Sequence, residues 1–188
     1  MIYLMEQDGS LSQGETARKL LLLGLKQEYG MEKLPEMARM EYGKPYFPEF
    51  PEIRFNYSHS KKGILCGISG AEIGVDIEKI IPVKGNFVRR VCHEKEQELL
   101  QAAADEESRE RLLTRMWTAK ESYLKCTGTG IRVNLNSLDF SACIQGGIFR
   151  GEYRISFLEE QNYVAAVCEQ EAETAPPLLW RKVSFEEL

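Results

Sequence analysis

Three things are scarce in this sequence: paired cysteines, long apolar runs and excess positive charge. The five cysteines, Cys66, Cys92, Cys126, Cys143 and Cys168, are odd in number, and none forms a CxxC pair. That excludes a zinc cage and a disulfide framework and reads as reduced cysteines, mostly in the core. The longest apolar run is Leu20–Leu23, followed by Gly24 and Leu25, far short of the ~20 residues that span a bilayer. The opening Met-Ile-Tyr-Leu-Met-Glu-Gln-Asp has no basic leader before an apolar stretch, so no signal peptide is expected and the chain reads as soluble and cytoplasmic. Lys plus Arg is 24 against 29 for Asp plus Glu, a net charge of −5. This argues against a general nucleic-acid binder and leaves room for one basic pocket for a small phosphorylated ligand.

What is present is an ordinary globular composition, 43% hydrophobic and 28% charged over 188 residues. At roughly 150 residues per domain this is one domain or two small lobes, and a chain of this size buries roughly 70% of its unfolded surface without staples. Ile2–Met5 reads as a strand, and Gly14 to about Tyr29 as a helix with a broad leucine face. Glu41–Pro51, punctuated by Gly43, Pro45, Pro48 and Pro51, reads as an ordered loop. Ile64–Ile68 and Ile73–Ile77 read as a hairpin-like strand pair about Ser69-Gly70. Ile81–Asn86 is the best internal boundary. Helices are expected near Asn86–Val91 and Lys95–Ala103, then a long one from about Ser108 to Thr127 capped by Gly128, with Asp105-Glu106-Glu107 as a solvated connection. Ile131 to Glu169 reads as several strands, with turns at Gly146-Gly147 and Gln161-Asn162, and Pro176-Pro177 as the start of a tail. The coarse reading is a two-lobed α+β chain.

Three clusters could carry chemistry. In Ile73-Gly74-Val75-Asp76-Ile77-Glu78 a strand would point Ile73, Val75 and Ile77 one way and Gly74, Asp76 and Glu78 the other. Carboxylates two positions apart, about 7 Å at Cα, can converge on one hard cation or form a solvated acidic face. In Trp117-Thr118-Ala119-Lys120-Glu121-Ser122-Tyr123-Leu124-Lys125 the helical spacing puts Trp117, Glu121 and Lys125 on one face. That face is either a core tryptophan beside a surface ion pair, or a metal ligand or base (Glu121) beside a phosphate contact (Lys125). Phe55-Asn56-Tyr57-Ser58-His59-Ser60-Lys61-Lys62 offers hydroxyls, a histidine and lysines suited to an anion, or a polar turn before the next strand. His93 reads as a surface residue.

In this order the three clusters, with the upstream Tyr42-Gly43-Lys44-Pro45, closely resemble the 4′-phosphopantetheinyl transferases. The resemblance is to the larger, surfactin-synthetase-activating type rather than the short trimeric holo-acyl-carrier-protein synthases, and it is closest over Tyr42 to Leu138. It implies transfer of 4′-phosphopantetheine from coenzyme A to a serine of an apo carrier protein, with release of adenosine 3′,5′-bisphosphate. It implies Asp76, Glu78 and Glu121 as Mg²⁺ ligands, Glu121 as base and Lys125 as the pyrophosphate contact, with Lys120 adding to the same electrostatics. It further implies that Lys44, Pro45, Ser58 and His59 hold the nucleotide of coenzyme A, His59 through a phosphate, and that Arg18 meets the 3′-phosphate. Larger members carry lysines ahead of that helix; here Met1–Ala17 contain none. The implied fold is α+β, two similar fused lobes forming a pseudo-dimer, 1–83 and 84–188, with the site in the cleft between them and a monomer as the working unit. The competing readings are a coenzyme A or carrier-protein binding module without transfer activity, and a metal-dependent pyrophosphate hydrolase.

Overall fold

The structure is a computed structural model that describes residues 1–6, 12–130, 132–170 and 178–188. Strand β1 (Ile2–Glu6) is followed by helix α1 (Gln13–Tyr29), the two-residue strands β2 (Ala38–Arg39) and β3 (Pro45–Tyr46), and strands β4 (Arg54–Ser60), β5 (Gly63–Ser69) and β6 (Ile73–Lys79). Helices α2 (Gly85–Val91), α3 (Glu94–Ala102) and α4 (Glu106–Thr127) come next, then strands β7 (Gly147–Phe149), β8 (Tyr153–Glu160), β9 (Tyr163–Gln170) and β10 (Trp180–Lys182). Among the described residues no helix is long and apolar enough to cross a membrane.

The helix ends follow from local chemistry. The Ser12 side chain accepts from the Glu15 N–H at the start of α1, and Gly30, at φ 69°, turns its end. The Asp105 carboxylate accepts from the Ser108 N–H at 2.7 Å, so the acidic stretch expected as a connection is the N-cap and first turn of α4. Gly128 closes α4 in the left-handed conformation, as expected. His93, expected at the surface, is half-buried and caps α3 within a capping box.

Two four-stranded sheets stack between the two long helices. One runs β10-β1-β5-β4 and the other β6-β9-β8-β7. Alternation along β1 decides the layering: Tyr3 and Met5 pack with Ala17, Leu20, Leu21 and Leu25 of α1. Ile2 and Leu4 pack with Ile73, Val75 and Ile77 of β6 and with Ala165 and Val167 of β9. The far face of the second sheet carries Ile155 and Cys168 against Ala119, Tyr123, Leu124 and Cys126 of α4. The order is therefore helix, sheet, sheet, helix.

Several expectations are corrected here. The β5 and β6 strands exist but do not form a hairpin: β5 pairs with β1 and β4, whereas β6 pairs with β9. The chain changes sheets at residues 70–72 because Ile73, Val75 and Ile77 face the first sheet instead of extending it. The loop at Glu41–Pro51 contains β3, paired with β2. The segment Phe55–Lys62, read as either an anion site or a polar turn, is largely strand β4, with Asn56 and Ser58 turned toward β6. Residues 132–146 hold two short 3₁₀ turns, Leu135–Ser137 and Ser141–Cys143, before the expected strands begin. The expected Pro176-Pro177 tail, like Ile131, lies outside the described residues.

A close approach of α4 to β6 positions the site. A Cβ on Gly74 would lie 2.1 Å from the Ser122 carbonyl oxygen and 2.2 Å from the Cys126 nitrogen, both backbone atoms of α4. Glycine lets α4 lie directly on β6, which fixes Glu121 and Lys125 relative to Asp76. Gly74→Ala is expected to cost about 2–3 kcal/mol, because helix backbone cannot yield as a side chain can. A urea midpoint equal to that of the parent protein would refute it.

Candidate active site

The edge strands β4 and β6 of the two sheets meet side by side, and α4 lies over the junction. The Asn56 Oδ1 accepts from the Val75 N–H at 2.9 Å, tying one edge to the other. One register step along, the Ser58 hydroxyl donates to Asp76 Oδ1 at 2.9 Å. From above, Lys125 donates its ammonium to Asp76 Oδ1 at 2.6 Å and to Ser58 Oγ at 3.0 Å. Asp76 is 6% exposed, so this is a largely desolvated carboxylate with one hydroxyl and one cation on a single oxygen.

Ser58, His59, Asp76, Glu78, Glu121 and Lys125 line one cavity of about 280 Å³, with Tyr57, Ile77 and Trp117 completing its wall. The helical spacing of Trp117, Glu121 and Lys125 and the strand spacing of Asp76 and Glu78 thus converge on the same space. Burial pushes the Glu78 carboxyl up, and Asp76 adds to the rise; the backbone N–H of Lys79, donated to Glu78 Oε1 at 2.8 Å, opposes it. Glu121 is likewise pushed up, first by burial and then by the charge of Asp76, against the pull of Lys125. The Glu121 Oε1 is buried and has no hydrogen-bond partner. An ionisable oxygen left without a donor in a buried carboxylate cluster marks a place where a cation or a proton is needed.

A second cavity, about 190 Å³, shares Tyr57, Glu121 and Lys125 with the first and extends to Tyr42, Gly43, Lys44, Pro45 and Asn56. The Lys44 ammonium is not free within it. It donates to Glu72 Oε2 at 2.5 Å and to the Cys126 carbonyl at 2.6 Å, so Lys44 clamps the end of α4 while its stem lines the cavity.

Two expected site residues stand apart. Arg18 is exposed on α1 and lines neither cavity. Lys120, expected to add to the electrostatics around Lys125, is fully buried and bonded to Glu96 Oε2 at 2.6 Å, on the core side of α4. A helix advances 100° per residue, so Lys120 cannot share the face of Glu121 and Lys125. Tyr57 and Asn56 are lining residues to which the sequence pattern assigns no role. The alternation of a strand could have found Asn56, which shares its face with Ser58.

A divalent cation fits the donor set by chemistry, since three carboxylates on one cavity suit a hard ion with oxygen ligands. The orphaned Glu121 oxygen and the upward shifts of Glu78 and Glu121 point the same way. Among the described residues, however, no three His, Cys, Asp or Glu side chains are arranged closely enough to hold an ion. Here the cation on Asp76 is Lys125.

Comparison with known proteins gives an independent finding. Residues 72–174 match the 4′-phosphopantetheinyl transferase superfamily. The chain is 32% identical over 114 residues to the 4′-phosphopantetheinyl transferase Sfp of Bacillus subtilis, covering 60% of this chain and 50% of that protein. It is 40% identical over 97 residues to the 4′-phosphopantetheinyl transferase gsp of Aneurinibacillus migulanus, covering 52% and 40%. Over 106 residues it is 36% identical to the 4′-phosphopantetheinyl transferase HetI of Nostoc, covering 52% and 44%. The matched segments thus span half or less of these curated relatives.

Proposed function

Because the chain belongs to the 4′-phosphopantetheinyl transferase superfamily, we propose that it transfers 4′-phosphopantetheine from coenzyme A to a serine hydroxyl of an apo carrier protein. The observation that carries this reading is the single cavity shared by Asp76, Glu78, Glu121, Lys125, Ser58 and His59. The bond formed joins the serine oxygen to the phosphorus of phosphopantetheine. The bond broken is the pyrophosphate linkage, and adenosine 3′,5′-bisphosphate leaves with its electron pair.

Each side chain has a task in this reading. Glu121, with one buried oxygen free of donors, takes the serine proton. Lys125 leaves Asp76 for the pyrophosphate and stabilises the charge that collects on the departing phosphate. Ser58 and His59 contact phosphate from β4, and the Lys44-Pro45 turn holds the nucleotide through its backbone and stem. Asp76, Glu78 and Glu121 would hold Mg²⁺ once their carboxylates draw closer together, and the ion would offset the charge of the phosphate oxygens.

The chain acts as a monomer of two fused α+β lobes, 1–83 and 84–188, with the site between them. Two sheets, each backed by one long helix, support this, and each exchanges one strand across the division: β6 joins the second sheet and β10 the first. Five buried free cysteines support a reducing, cytoplasmic location. Beside Trp117, a groove lined by Phe87, Arg89, Arg90 and Leu135 combines apolar and cationic groups, suited to an acidic carrier helix.

Incubating the protein with coenzyme A, Mg²⁺ and a panel of apo acyl and peptidyl carriers is expected to add one phosphopantetheine mass to the carrier serine. A chelator is expected to stop the reaction, and Mg²⁺ alone to raise the melting temperature by relieving the carboxylate cluster. Unmodified carriers across the whole panel would refute the reading.

A further inference from the structure

We propose that Arg132, whose guanidinium lies over the Tyr42 ring beside the second cavity, is a nucleotide-binding residue of this enzyme. The proposal rests on the transferase reading above and adds to it a specificity contact for the purine nucleotide end of coenzyme A. Three observations carry it.

The first is position. Gly128 and Gly130, both in the left-handed conformation at φ 67° and 62°, line the cavity and turn the chain just beyond α4. The Arg132 N–H closes that turn on the Gly130 carbonyl at 2.8 Å, and its guanidinium carbon sits 4.5 Å from the centre of the Tyr42 ring. Tyr42 itself lines the cavity. The second is availability. Lys44, the cation the loop offers by sequence, is held by Glu72 and the Cys126 carbonyl. Arg39 is folded onto the Gly43 carbonyl at 2.8 Å. Arg132 is exposed, and among the described residues no carboxylate pairs with it. The third is chemistry. A guanidinium stacked on a ring keeps its N–H edge free for a phosphate and extends a planar wall suited to a purine. It is also pre-organised, so binding orders little more.

Titration calorimetry of the full chain with adenosine 3′,5′-bisphosphate tests the assignment. Arg132→Ala is expected to weaken binding about tenfold, the scale of one charge-assisted contact. Arg132→Lys, which keeps charge and loses the plane, should recover only part of it. Arg150→Ala removes another stacked arginine, on Phe149, outside both cavities, and should bind as the parent protein does. In turnover, Arg132→Ala raises KM for coenzyme A with kcat within about twofold, the pattern of lost ground-state binding. Equal affinity in Arg132→Ala and the parent protein would overturn the assignment and leave the transferase reading standing. Arginine-dependent binding with no transfer to any carrier would support the assignment and overturn the enzyme reading. A parent protein that neither binds the bisphosphate nor transfers would overturn both.

Discussion

On the proposed transferase reading, Glu121→Gln is expected to lower phosphopantetheine transfer by about 10²–10⁴-fold, the range of a lost general base, and at neutral pH to raise the melting temperature. The two effects have one cause. The Glu121 carboxyl sits above the ordinary glutamate value of 4.5 because burial and the Asp76 charge disfavour its ionised form. A carboxyl with a raised native value holds its proton to higher pH than the unfolded chain does. Stability from this group is therefore full below about 4.5 and is lost as pH rises through the native value. Glutamine keeps the shape, carries no charge and is spared that loss. The gain in melting temperature should thus appear near neutrality and vanish in acid. On the proposed reading catalysis runs the opposite way, since a base works only when ionised, so parent turnover should climb over the pH range in which stability declines. Thermal melts and turnover followed upward from below pH 4.5 check both. Glu121→Gln that melts lower than the parent protein at neutral pH would show that the carboxylate is stabilised rather than strained.

The division between what was legible in the sequence and what was not follows contact range. Alternation in β6 and the i, i+4, i+8 face of α4 are local, so residue spacing alone assigns Asp76, Glu78, Glu121 and Lys125 to their faces. The Gly128 cap is local too. The pairing of β5 and β6 is not: Ser69-Gly70 is a hairpin signal, yet Ile73, Val75 and Ile77 pack against Ile2, Leu4 and Leu65 of the first sheet, a face-to-face contact that pairing beside β5 in that sheet would forgo. Asn56 and Ser58 look like loop residues because their partners, Val75 and Asp76, lie across a sheet-to-sheet junction. The fates of Lys44 and Lys120 are hidden for the same reason. Each is neutralised by an acid 28 or 24 residues away, a separation no motif encodes. The His93-x-x-Glu96 capping box gives Glu96 a structural task, but with histidine in place of the usual Ser, Thr, Asp or Asn it does not carry the sequence signature of one.

Lys120→Met should lower stability by about 3–5 kcal/mol, the cost of removing one partner from a buried ion pair. Lys120 and Glu96 are both completely buried. The ammonium is saturated by Glu96 Oε2, the Val91 carbonyl at 2.6 Å and the Leu135 carbonyl at 3.0 Å. Glu96 accepts in addition from the His93 and Phe140 N–H groups, each at 2.8 Å. The pair therefore joins the end of α2, the start of α3 and the chain after α4 to the middle of α4. Burial pushes the Lys120 ammonium value down and Glu96 pulls it back; without Lys120 the carboxylate is left buried without a counter-charge. Lys120→Met with Glu96→Gln should recover most of the loss, because a neutral amide oxygen still accepts from Phe140 and no charge remains unpaired. Were Lys120 a phosphate contact, Lys120→Met would raise KM for coenzyme A and leave the urea midpoint unchanged. The buried pair requires the reverse: a large fall in midpoint, a KM near the parent value at temperatures where the variant is folded, and a double variant that regains stability. A single variant as stable as the parent protein would refute the structural role of the pair.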